Sequence, residues 1–146
     1  MTADLLTRRD WMGLLARAPL AKLDAYWPDP APVFTWLRQP EVGTMMVQGR
    51  AGATGGAFNL GEVTVTRAAL RLACGTVGHA LVQGRSPRKA ERAALLDALL
   101  QTDAAAHLQA RVLVHLTKLE TEVSQARARR AAATKVDFFT LVRGEP

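Results

Sequence analysis

The stretch GRAGATGGAFNLGE, residues 49–62, decides how the middle of this chain is read. It holds five glycines in fourteen residues, with Arg50 near its start. Both flanks have the period of two that marks strands: Thr44 to Ala51 before it, Phe58 to Leu72 after it. One reading is a long hairpin loop whose glycines take positive φ. The other is a bare backbone whose N–H groups, with Arg50 beside them, approach a phosphate or a partner's main chain. The strict nucleotide motifs are absent. A Walker-type loop needs Gly-Lys-Ser/Thr opening a helix. A dinucleotide fingerprint needs Gly-x-Gly-x-x-Gly between strand and helix, whereas here the spacing is Gly49, Gly52, Gly55, Gly56 with strand-like flanks.

Working outward, Val33 to Arg38 reads as a strand ended by Gln39-Pro40, and Thr44 to Ala51 as the next, after a turn at 41–43. Thr76 to Gln83 follows Phe58 to Leu72 through a tight turn at Cys74-Gly75. Strands joined by short turns argue for an antiparallel meander. Val63 and Val65 put apolar residues on odd positions, while Leu70 and Leu72 put them on even ones. A bulge near Arg67-Ala68-Ala69 would account for this; a helical turn over 66–73 capped by Thr66 is the rival.

Toward the N-terminus, Thr7 with Asp10 three residues on forms a near capping box. Trp11, Leu14 and Leu15 then share a helix face. Pro19 suits the start of a short helix through Tyr26, and residues 27–32 form a proline-rich connector. Beyond the strands, Ser86-Pro87 marks a helix start, and the helix runs to about Gln101. Ala105, Leu108, Val112, Leu116, Leu119, Val123 and Ala126 are spaced by three or four, an amphipathic stripe expected to pack along most of its length. From Thr134 to Glu145 the residues are β-prone again. The fold expected is α+β: N-terminal helices, a small antiparallel β-meander of about four strands, two longer helices and an extended C-terminal tail, in one domain over 1–146.

The totals narrow the function. At 146 residues the chain is long enough to bury a core, and a hydrophobic fraction of 49% excludes a disordered one. No run of 18 apolar residues suggests a membrane span, and the N-terminus does not read as a secretory signal, so a cytoplasmic protein is expected. Cys74 is the only cysteine, so the chain has neither an internal disulfide nor a cysteine-rich metal or iron–sulfur site. His79, His107 and His115 are scattered, and no nucleophile has an evident base, so no catalytic or metal-ligating set is expected.

Basic residues outnumber acids by 19 to 13, a formal charge of +6 carried mostly by arginine. That favours anionic partners, either phosphates or carboxylates. Gln48-Gly49-Arg50 and Gln83-Gly84-Arg85 repeat a tripeptide that could bring two guanidiniums to one sheet edge, with Arg67 near them. Arg50, Gly55, Gly56, Arg67 and Arg85 are therefore candidates for contact with phosphate, substrate or a partner. Solvated strand-end arginines are the alternative. A basic nucleotide- or nucleic-acid-binding module without catalytic role is the rival function, though few aromatics and no RNA motif support it.

Five segments, in order along the chain, carry a family resemblance: TRRDWM (7–12), GATGG with FNLGEVTVTR (52–56, 58–67), VQGR (82–85), AER with LLDALLQ (90–92, 95–101) and VDFFTLVRG (136–144). Together they resemble the PhnG family, the G subunit of the bacterial carbon–phosphorus lyase complex. The resemblance implies a non-autonomous subunit that assembles with PhnI most directly, and with PhnH, PhnJ and PhnL. It implies that PhnI, PhnH and PhnL, with this subunit, make α-D-ribose 1-methylphosphonate 5-triphosphate from ATP and methylphosphonate, displacing adenine. The iron–sulfur cluster and S-adenosylmethionine would belong to PhnJ, leaving no cofactor in this chain. Trp11, Asp137, Phe138, Phe139 and Arg143 are then candidates for the subunit interface.

Overall fold

A computed structural model describes residues 6–136. The element order is α1 (Arg8–Arg17), α2 (Leu20–Ala25), β1 (Phe34–Arg50), β2 (Ala57–Leu72), β3 (Val77–Gln83), α3 (Pro87–Leu99), a short α4 (Ala105–Leu108), a π-helical turn (Gln109–Leu113) and α5 (Val114–Ala133). The strands form one antiparallel sheet in the order β1-β2-β3. The α+β architecture stands, with three long strands where about four were expected. The two strands foreseen before the glycine stretch are one, because Gln39-Pro40 does not end pairing. The register slips between Arg38 and Glu41, so Pro40 sits where the ladder is already interrupted. Its missing N–H costs no ladder bond on this edge strand.

The bulge expected in β2 lies in β1 instead. Slips fall at Trp36/Arg38 and Arg38/Glu41, opposite residues 67–70, while β2 pairs with β3 without a break from Val65↔Gln83 to Arg71↔Val77. Regular β2 therefore sends Thr66, Ala68, Leu70 and Leu72 toward the helices. Arg67 and Arg71 share the opposite face with Val65 and Ala69. Those two are buried although, among the described residues, no helix covers that face, which is why the apolar pattern looked as if it changed sides.

The core lies between the sheet and α3, closed at the side by α1 and the π turn. Leu70 and Val82 meet Ala94, Leu95 and Leu96, with Leu14, Leu15, Val112 and Leu113 around them. Each fully buried leucine contributes about 2 kcal/mol by removal from water. Gly78 makes the sheet–helix approach possible: a Cβ there would lie 2.0 Å from the Ala94 carbonyl oxygen.

The helix starts use the residues the sequence singled out. At α1, the Thr7 backbone N–H and hydroxyl both donate to the Asp10 carboxylate, the former at 3.2 Å. At α3, Ser86 stands at the N-cap position but its side chain makes no cap bond. Its backbone N–H instead donates to the buried Thr66 hydroxyl at 2.9 Å, which in turn donates to the Gly84 carbonyl at 2.7 Å. That chain ties the end of β3 to the start of α3. Pro19 precedes α2 as its N-cap instead of forming its first residue.

The last helix is covered for less of its length than its stripe suggested. The π turn lets the adjacent Val112 and Leu113 both enter the core, followed by Leu116. Leu119 and Ala126 are only half-buried and Val123 is exposed. Of the C-terminal tail expected to be β-prone from Thr134, residues 134–136 follow the last helix and form no strand, and the rest lies outside the described residues. Among those described, no helix is long and apolar enough to cross a membrane.

Candidate functional site

The glycine stretch is the tip of a hairpin arm. β3 stops pairing at Val65↔Gln83, while β1 and β2 continue together from Gly43↔Val65 to Arg50↔Ala57. That leaves a two-stranded arm about 25 Å long beyond the three-stranded sheet. Its tip folds on itself. Gly52 and Ala53 both have positive φ, and the Gly55 N–H donates to the Ala51 carbonyl at 2.9 Å. A Cβ on Gly55 would come within 2.7 Å of that carbonyl oxygen, so glycine is required there; Gly56 lies in open space. The Arg50 guanidinium donates to the Gly55 carbonyl at 3.0 Å. Arg50 thus closes the tip of its own hairpin.

The repeated Gln-Gly-Arg does not bring its arginines together. Arg50 pairs beside Ala57, whereas Arg85 follows the strand whose last partner is Val65. They sit about 25 Å apart along β2. Arg67 is brought into a cluster, on the sheet face away from the helices. It donates to Glu41 at 2.6 Å, and Arg38 donates to the same carboxylate. Both arginines hold the Glu41 carboxyl below its ordinary range, Arg38 through the larger contribution.

Trp11, proposed above for an interface, is used inside the chain. It is 8% exposed, and its Nε1 donates to Asp97 at 2.8 Å. Asp97 is a buried hub that sequence reasoning missed. It also accepts from Arg8 at 2.7 Å and from the His79 backbone N–H at 2.9 Å. The acid embedded in the apolar run at 95–100 was the available signal. This hub also blunts the outer edge of β3, since Arg8 and Gln101 both donate to the Val77 carbonyl. Asp137, Phe138, Phe139 and Arg143 lie outside the described residues.

A groove of about 790 Å³ runs between α5 and the α1–α2 junction. Leu14, Pro19, Leu119 and Val123 are among its apolar walls, with Lys89 and Arg127 among its basic ones. Burial lowers the Lys89 ammonium below its ordinary value. Arg17 forms an ion pair with Glu120 across the groove. Among the described residues, no three His, Cys, Asp or Glu side chains are placed to hold a metal ion. His79 is exposed, and His115 Nδ1 lies 2.7 Å from the Arg111 carbonyl.

A small α+β domain with a bare hairpin arm and a half-covered helix is of the class that presents surface to other polypeptides. The family model described as phosphonate metabolism protein PhnG matches residues 6–144, and the chain belongs to that family. It is similar to the protein named alpha-D-ribose 1-methylphosphonate 5-triphosphate synthase subunit PhnG of Rhizobium meliloti (strain 1021). The two are 44% identical over 148 residues, which cover 98% of this chain and 93% of that relative.

Proposed function

We propose that this protein is a non-autonomous subunit of α-D-ribose 1-methylphosphonate 5-triphosphate synthase, acting in the breakdown of organic phosphonates. The observation that carries the reading is the end-to-end identity of 44% to a relative bearing that name. Its part in the reaction is assembly. In this reading it joins PhnI most directly, and PhnH, PhnL and PhnJ, in the cytoplasm. The complex, not this chain alone, takes ATP and methylphosphonate. The placement of the arginines supports this division of labour. Arg50 is tied to the hairpin tip and Arg67 to Glu41, so both are held by groups of their own chain. Arg85 and Arg50 stand too far apart to grip one triphosphate.

The test is reconstitution of the synthase with and without this chain, following adenine release from ATP in the presence of methylphosphonate. Loss of adenine release without the chain, restored by adding it, is the expected result. Full activity in its absence, or turnover by the isolated chain, overturns the reading.

A further inference from the structure

The hairpin arm and the sheet face it extends form one continuous surface with two chemically distinct halves. Cross-strand partners point to the same side of a ladder. The pairs Met45↔Val63, Val47↔Gly61 and Gly49↔Phe58 therefore share the face that carries Gly43↔Val65 and Glu41↔Arg67. Leu60, the extra residue where the register slips, belongs to it too: a Cβ on Gly49 would lie 3.7 Å from the Leu60 Cβ. Met45, Val47, Phe58, Leu60 and Val63 make an apolar stripe on the arm. Leu60 is 67% exposed, and among the described residues no other element covers it. Further along the same face stand Arg38, Arg67 and Arg71, with Glu41 as their one carboxylate among the described residues. The opposite face of the arm alternates Val42 and Met46 with Thr44, Gln48 and Thr64, and is mixed in character.

We infer that this face docks a different polypeptide of the same assembly, through an apolar patch bordered on one side by carboxylates. The inference rests on the subunit reading above and specifies the surface. Charge decides the occupant. Three guanidiniums against one carboxylate leave unmatched positive charge beside the stripe, and an acidic border matches it. A second copy supplies no such border. Stacked with strands parallel, it sets arginines against arginines; stacked antiparallel over the whole face, it lays them on the apolar stripe; stacked stripe to stripe alone, it leaves the arginines unmatched. The outer edge of β3 is already engaged at its start, where Arg8 and Gln101 donate to the Val77 carbonyl and the His79 N–H donates to Asp97.

The experiment co-expresses the tagged full-length chain with the other synthase subunits and measures complex recovered by gel filtration. Phe58→Asp and Leu60→Asp put a charge on the stripe at exposed positions, so the fold survives; matching circular dichroism and melting curves check this. Each is expected to lower complex recovery at least about tenfold, because a charge would be buried against an apolar partner. Met46→Asp, equally accessible on the opposite face, is expected to leave recovery unchanged. Arg71→Glu is expected to weaken assembly and flatten its salt dependence.

Normal recovery with both stripe variants, or equal loss with Met46→Asp, overturns the inference. So does an isolated wild-type chain that sediments as a dimer which Leu60→Asp dissociates, because the occupant is then a second copy. A wild-type chain that joins no other subunit removes the function proposed above, and the surface with it. A wild-type chain that assembles while the stripe variants assemble equally well removes the surface alone.

Discussion

At the level of single residues, Asp97 and Gly78 govern how α3 sits on the sheet. Asp97 is wholly buried and accepts from the Trp11 indole, the Arg8 guanidinium and the His79 main chain. In Asp97→Ala, the indole and main-chain donors lose their acceptor in a dry site, at about 1–3 kcal/mol each. Arg8 is partly exposed and regains water, so its share is small. A loss of about 3 kcal/mol is expected from urea unfolding, with Asp97→Asn costing less because an acceptor oxygen remains. A loss well under 1 kcal/mol in the alanine variant would show that these donors find other partners. Gly78→Ala tests packing instead of polarity. Its new methyl would meet the Ala94 carbonyl at 2.0 Å, so α3 must move off the sheet, at about 3 kcal/mol. Both sites left a trace in the sequence: a lone acid in an apolar helix, and a glycine inside a strand. What each one touches was not legible, because Arg8 and Trp11 come from 86 or more residues away in the chain. Trp11 was correctly placed on an apolar helix face. Whether that face was inward or outward depended on the position of α3.

At the level of elements, local periodicity identified the helices and most of the strand residues. The glycine stretch was also legible as a hairpin loop, since its flanks alternate like strands and Gly52 takes the positive φ such a loop needs. Two features depended on pairing and were therefore hidden. Pro40 read as a stop because proline lacks an N–H, yet β1 absorbs it at a register slip. The slip opposite residues 67–70 left no mark in the composition of β1. Likewise, periodicity showed an apolar stripe on the last helix but not where its cover ends. Leu119 and Val123 face a groove; the core ends at Leu116. Cover sets local stability. In native-state hydrogen exchange, amides in the arm (44–50 and 57–63) should exchange well before those of 66–72, which lie between two strands under α3. The second half of α5 should also exchange before its first turn. Equal protection along all of β2 in the isolated chain would mean that the arm is covered, by a second copy or by the chain itself.

For the molecule as a whole, charge sets the response to pH. Besides Asp97, three carboxylates tie separate parts together. Asp24 links α2 to α3 through Arg92 and Arg88, and Arg92 also lies 3.5 Å from the centre of the Trp27 ring. Glu41 holds Arg38 and Arg67 on the sheet, and Glu120 joins α5 to α1 through Arg17. Hydrogen bonds from these arginines lower all three carboxyls below their ordinary values, Arg92 contributing most at Asp24 and Arg38 at Glu41. The folded chain therefore binds fewer protons than the unfolded chain as pH falls through the ordinary carboxylate range. The stability these groups supply is fully present above their unfolded pKa values and is lost as pH falls through the folded ones. The Glu41 and Glu120 pairs are exposed and contribute little alone, while the Asp24–Arg92 pair is partly buried. Acid also adds a general term, because neutralising 13 acidic residues leaves 19 basic ones to repel each other. The melting temperature should accordingly be nearly flat from about pH 8 to pH 5 and fall steeply below about pH 4. Glu41→Gln should lower the plateau slightly and reduce the drop, since its carboxylate no longer titrates. Calorimetry across this range checks both, and a melting temperature unchanged down to about pH 3 would show that the three links do not stabilise the fold. Salt separates the two terms: added sodium chloride screens the general repulsion and raises the melting temperature at acid pH. It cannot restore links whose carboxyls are protonated, so part of the acid loss should persist at high salt.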